Sequence, residues 1–177
     1  MAHARVNVCI TGGVRQAQEG AIASAGARAV VEAMREHPAH AAIQREGCAR
    51  LLDLTPSVEG AEYQRIRREN GGAWAEMDRK YRELASAGVI DVVCQAISTQ
   101  PAEVAATGCR VLTFLARSDA NLGLIARVGG IEALVTAMQG HATDPGLQQQ
   151  ACRSLYNLAA DDENKNLIAR VGGIEAL

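Results

Sequence analysis

The sequence predicts an all-α helical solenoid built from tandem copies of one three-helix unit. Three observations lead there. The stretch LIARVGGIEAL occurs at 124–134 and again, unchanged, at 167–177, an offset of 43 residues. A fixed period in the forties marks one supersecondary unit copied in tandem. Apolar residues also recur at spacings of three and four, as in Ile131, Leu134, Val135 and Met138, which places them on one helix face. Finally, aromatic residues make up only 3% of the 177 residues while alanine is abundant. That favours closely packed helices over a sandwich or barrel of β-strands.

The elements follow in order along the chain. Residues 1–13 form an amino-terminal segment, in which VNVCI reads either as the worn third helix of a preceding copy or as a stray extended piece. The first unit spans 14–54. Its second helix, GARAVVEAM at 26–34, matches GIEALVTAM at 130–138, and its third, GCARLLDLT at 47–55, matches ACRSLYNLA at 151–159. Cys48 and Cys109 are 61 residues apart where the period is 43, so about 18 residues are inserted between the first two units. The charged insert, 55–69, predicts a helix near 58–69. Gly71 and Gly72 break it, and an elongated first helix runs near 73–86.

The second unit spans 70–117, with AGVIDVVCQAI as its second helix and GCRVLTFLA in its third. The third unit spans 118–160. Gly129 and Gly130 supply the turn between its first and second helices, because glycine enters backbone regions closed to other residues. Pro145 and Gly146 mark the loop before its third helix. Residues 161–177 begin a fourth copy and stop inside it, so the chain is expected to be a piece of something longer. Asp161, Asp162 and Glu163 are expected to start that copy's helix by opposing its dipole rather than to hold a cation.

Bulk properties exclude several function classes. The net charge is −2, with 18 basic and 20 acidic residues, which gives no general attraction to nucleic acid or an anionic membrane. No apolar run approaches the roughly 18 residues of a membrane span. The start, MAHARVNVCITGG, carries no signal-peptide pattern and has Ala2 rather than a myristoylated glycine. Five cysteines, an odd number with no C-x-x-C pair, predict free thiols in a reducing compartment, cytoplasm or nucleus. Cys48, Cys109 and Cys152 fall at one position of successive units, roughly 10 Å apart by helix packing. That is too far for a disulfide or shared metal ligation, so they are expected to fill seams between helices. No nucleophile elbow, zinc-protease helix, P-loop or dinucleotide glycine pattern is present. His37, His40 and His141 occupy matching loops, and Thr11-Gly12-Gly13 reads as punctuation. No catalytic residue, metal site or cofactor is expected.

A short helix, a glycine turn, an I-E-A-L second helix and the third-helix pattern A-x-x-x-L-x-N-L-A (ACRSLYNLA at 151–159) together resemble the armadillo repeat. The resemblance covers most of the chain from about residue 14. It is specific for the third unit and the duplicated stretch, good for the second unit and looser for the first. The texture of AMREHPAHAAIQREGCARLLDL is similar to armadillo arrays of large protist and algal proteins and of leucine-rich-repeat kinases. A HEAT array is the nearest rival, whereas periods near 33 or 34 do not fit. The resemblance implies a right-handed solenoid of about three repeats plus a truncated fourth. It also implies a non-catalytic scaffold that binds an extended peptide or partner helix on a concave surface lined by third helices. A regulatory segment of a larger enzyme, such as a kinase, is the alternative, and a nuclear-import adaptor a more distant one.

Helical phase then selects the groove stripe opposite the core: Gln150, Arg153 and Asn157 in the third unit, Thr107, Arg110 and Phe114 in the second, Glu46, Ala49 and Asp53 in the first. Asn157 matches the asparagine with which armadillo importins hold a peptide backbone. The tryptophan that those importins place four residues earlier is replaced by Arg153, Arg110 or Ala49. The arginines point to an acidic or phosphorylated protein partner, against the plainer reading of a solvated face with local ion pairs. Across the insert and the elongated helix after it, 55–86, six basic residues are balanced by six acidic ones. Trp74 and Tyr81, seven residues apart on one face, are the candidate partner anchor there, or else pack their helix onto the array. Self-association through the uncapped carboxyl-terminal end, with Ile174 and Leu177 exposed, is also expected.

Overall fold

The computed structural model describes residues 26–176. The expectations for 1–25, including Cys9 and the VNVCI segment, and for Leu177 lie outside the described residues. Between them the chain forms ten helices: α1 (Ala27–Glu36), α2 (Ala41–Leu54), α3 (Gly60–Glu69), α4 (Gly72–Ser86), α5 (Val89–Thr99), α6 (Ala102–Leu115), α7 (Asp119–Arg127), α8 (Gly130–Gly140), α9 (Pro145–Leu158) and α10 (Asp162–Arg170).

They stack in three rows. First helices α4, α7 and α10 pack in sequence, as do second helices α1, α5 and α8, and third helices α2, α6 and α9. Each third helix also packs on the second helix of its own unit. The outcome is the short all-α solenoid that the repeat period predicts. Stacking is required because one unit cannot cover its own apolar face. The central third helix shows this most clearly. Flanked by α2 and α9 and backed by α5, α6 buries Val104, Ala105, Cys109, Val111, Leu112, Phe114 and Leu115. It is nearly apolar all round, as a helix enclosed on most sides must be.

The glycine turns follow a backbone rule. Gly88, Gly129 and Gly172, in the second, third and truncated fourth units, all have φ between +80° and +86°, in the left-handed region. At Gly129 the chain turns so that α7 and α8 meet at 68°. A side chain on neighbouring Gly130 would lie 2.8 Å from the carbonyl oxygen of Ile125, so this residue is held to glycine by close approach. Aspartates cap two of the later helix starts. Asp144 Oδ1 takes the Leu147 N–H at 2.8 Å ahead of Pro145, and Asp161 Oδ1 takes that of Asn164 at 3.0 Å.

Side-chain amides then tie each helix to the next. Gln44 Nε2 donates to the carbonyls of Met34 and His37, and Gln148 Nε2 to those of Met138 and His141, a clamp repeated at an offset of 104 residues. Asn121 Nδ2 donates to the carbonyls of Leu115 and Tyr81, and Asn164 Nδ2 to those of Leu158 and Leu122. Both asparagines are buried and join a third helix to the following first helix and to the first helix one unit back. Their buried amide N–H groups thereby find carbonyl partners on two neighbouring helices, as buried donors require.

The insert helix α3 packs on α4. Trp74 is half-buried there, edge-on to Tyr63 with ring centroids 6.2 Å apart, and the Arg67 guanidinium lies 4.8 Å over its ring. Tyr81 corrects the expectation of a partner anchor. It is fully buried, and its hydroxyl donates to the Pro56 carbonyl at 2.9 Å, so it holds the insert from beneath. Much of the balanced charge is paired within its own helix, Arg65 with Glu62 and Glu69, Arg79 with Glu76 and Glu83, and Arg82 with Asp78, while Arg67 faces Asp119 of α7. Among the described residues no single helix is long and apolar enough to cross a membrane.

Candidate binding groove on the third-helix row

The insert does not simply sit beside the array. Between Leu54 and Gly60 the chain crosses toward the exposed edge of α6 and α9, where it meets the arginines of the predicted stripe. Arg153 Nη2 lies 3.3 Å from Glu59 Oε2, and Arg110 Nη2 lies 3.8 Å from Glu59 Oε1. One carboxylate is thus shared by two guanidinium groups from successive third helices. All three side chains are between about one-third and one-half exposed, at 34% for Glu59, 42% for Arg153 and 46% for Arg110. Pairs this exposed contribute only about 0–1 kcal/mol each.

A third arginine anchors the crossing more firmly. Arg117 is only 8% exposed. Its Nη1 donates to the Val58 carbonyl at 2.6 Å. Its guanidinium lies 3.9 Å over the Tyr63 ring and 4.6 Å over the Phe114 ring. Stacking of this kind suits the planar, weakly hydrated guanidinium. Arg67 adds a bond from Nη1 to the Arg117 carbonyl at 3.3 Å. Repeat periodicity gave no sign of Arg117, because its partners belong to the unrepeated insert.

Beside the crossing a cavity of about 650 Å³ remains between α3 and α9. Tyr63 and Arg67 of α3, Arg153, Tyr156 and Asn157 of α9, and Arg117 and Asp119 are among its lining residues. Tyr156 is 82% exposed, the most exposed large apolar side chain among the described residues.

The predicted stripe divides in this setting. Arg110 and Arg153 come together, and Asn157 adjoins them, its Nδ2 donating to the Thr113 carbonyl of α6 at 2.8 Å. Gln150 lies on the same helix with its Oε1 buried and unpaired. Thr107 turns its hydroxyl to the Glu103 carbonyl of its own helix at 3.1 Å. Phe114 is a correction: phase placed it with Arg110 on the open stripe, but it is fully buried. Packing of α6 between two third helices, with Arg117 lying over the ring, removes it from solvent. Glu46, Ala49 and Asp53 lie on α2 and line no part of this cavity.

The thiols have no part in the groove. Cys48, Cys94 and Cys109 are free and buried, and burial pushes each thiol up to about 12 from an ordinary 9.0. Cys152 is half-buried, since no further third helix packs over α9 among the described residues. Among those residues no group of three or more His, Cys, Asp or Glu side chains is placed to hold a metal ion.

Residues 118–160 match the family model described as the Armadillo/beta-catenin-like repeat. No curated protein and no solved structure matches the chain. The three rows of helices together with this match make the fold a short armadillo solenoid. Armadillo repeats generally bind proteins and are typically non-catalytic. The narrower likeness to protist, algal and kinase arrays rests on sequence texture alone.

Proposed function

We propose that this chain is a non-catalytic interaction scaffold that binds an extended peptide or partner helix along the concave face of its third-helix row. The observation that carries the reading is the convergence of Arg110 and Arg153 on a single carboxylate. Two guanidinium groups one repeat apart suit an acidic or phosphorylated segment laid across α6 and α9. Tyr156, exposed beside them, supports the same site, because tyrosine and arginine are enriched where binding energy concentrates. The cationic lining and the absent tryptophans disfavour the basic segments that nuclear-import adaptors carry.

The test is a selection of random linear peptides on the full chain, counter-screened on the double variant Arg110→Glu/Arg153→Glu. The recovered peptides are expected to be acidic and to bind the variant at least about tenfold more weakly, a loss of about 1.4 kcal/mol. Helical content should be unchanged, since both side chains are half-exposed. Equal affinity for the two chains would show that the stripe is solvated surface.

A further inference from the structure

Glu59 is oddly employed for its position. It is the residue preceding the first turn of α3, with φ −130° and ψ 172°, where a side chain ordinarily accepts an N–H of its own helix. Its carboxylate makes no such bond. It reaches instead to Arg153 and Arg110, 94 and 51 residues further along the chain. The rest of the crossing is held independently. Pro56, Val58 and Tyr63 are fixed by Tyr81 and Arg117, both buried, and none of those contacts involves the Glu59 side chain. The carboxylate can therefore leave the two arginines while α3 stays in place, and the half-exposed pairs that hold it are weak.

We infer that Glu59 is a tethered placeholder for a partner's carboxylate, occupying Arg110 and Arg153 until an acidic residue of an incoming peptide replaces it. The inference rests on the binding role proposed above and names how that site is regulated. The insert supplies in cis the chemistry that the groove recognises in trans: a backbone carbonyl at Val58 on Arg117, followed by a carboxylate on the arginine pair. A matching partner is an extended segment with an acidic residue, entering beside Tyr156 through the open cavity. Because a tethered group acts at high effective concentration, Glu59 lowers the apparent affinity for every such partner.

The experiment uses the full chain and an acetylated six-residue peptide copying residues 57–62, followed by the Nε–Hε NMR signals of Arg110 and Arg153. Glu59→Gln leaves the shape of the side chain and does not disturb a cap that it never made. The peptide is expected to shift both arginine signals with a dissociation constant at least about fivefold lower for Glu59→Gln than for the parent chain. Glu132→Gln removes the same charge from the exposed face of α8, away from the cavity, and should change the constant less than twofold. Equal constants for Glu59→Gln and the parent, an equal gain from Glu132→Gln, or no arginine shift in Glu59→Gln would each overturn the inference. If peptides selected on the chain still depend on Arg110 and Arg153 in that event, the placeholder role alone has failed. If no peptide depends on them, the binding role has failed with it.

Discussion

Phe114→Ala is expected to lower the unfolding free energy by about 3–5 kcal/mol, the cost of removing a fully enclosed phenyl ring from a core that only partly collapses. The ring is fully buried on α6, the helix that both neighbouring third helices pack against. It also supports the buried guanidinium of Arg117, which in turn holds the Val58 carbonyl and the Tyr63 ring. Loss of the ring therefore loosens the insert along with the core. Arg110→Ala, one turn away on the same predicted stripe, should change stability by no more than about 0.5 kcal/mol because its side chain is half-exposed. Urea midpoints of the two variants, with the denaturant slope checked for constancy, measure the contrast. A loss below about 1 kcal/mol for Phe114→Ala would mean that the ring lies open in the groove, as helical phase alone suggests.

Alkaline pH is expected to remove a comparable amount of stability. Burial raises the thiols of Cys48, Cys94 and Cys109 from 9.0 to about 12 in the folded chain. Below pH 9 the three are protonated in both states, and the contribution of neutral, packed thiols is fully present. Above pH 9 the unfolded chain ionises while the folded chain does not, so stability falls until the pH passes through about 12. Each thiol contributes about 1.4 kcal/mol per pH unit in that window. From pH 8 to pH 10 the three together amount to a loss of about 4 kcal/mol. Burial also raises the Tyr81 hydroxyl, which extends the loss to higher pH in the same direction. Urea midpoints under reducing conditions across this range give the measurement, and Cys109→Ala should reduce the slope by about one third. A midpoint that stays flat between pH 8 and pH 10 would contradict the buried-thiol account.

The repeated part of this fold was legible because the copies share packing and turn chemistry. The duplicated LIARVGGIEAL contains the Gly129–Gly130 turn, and the same left-handed glycine recurs at Gly88 and Gly172. The Gly71–Gly72 break likewise separates α3 from α4 close to where composition suggested. The site was legible only in part. Arg110 and Arg153 followed from phase, but Glu59 did not, because the path of an unrepeated insert cannot be read from a period. Phe114 misled for the same reason. It shares a register with Asn157, yet Arg117 and the neighbouring third helix cover it. Asn121 and Asn164 had a visible signal, the same residue at an offset of 43, but their role depends on which carbonyls the stacked helices bring within reach. The clamp glutamines Gln44 and Gln148 are the same case at an offset of 104.

Binding on the third-helix row beside the insert would leave a footprint in hydrogen–deuterium exchange of the full chain, measured with and without the tightest peptide recovered by selection. Exchange is expected to slow in α6, α9 and the crossing at 55–60, with α5 and α8 unchanged. Slowing confined to α5 and α8, or no recovered peptide that binds at all, would place the partner elsewhere or remove it.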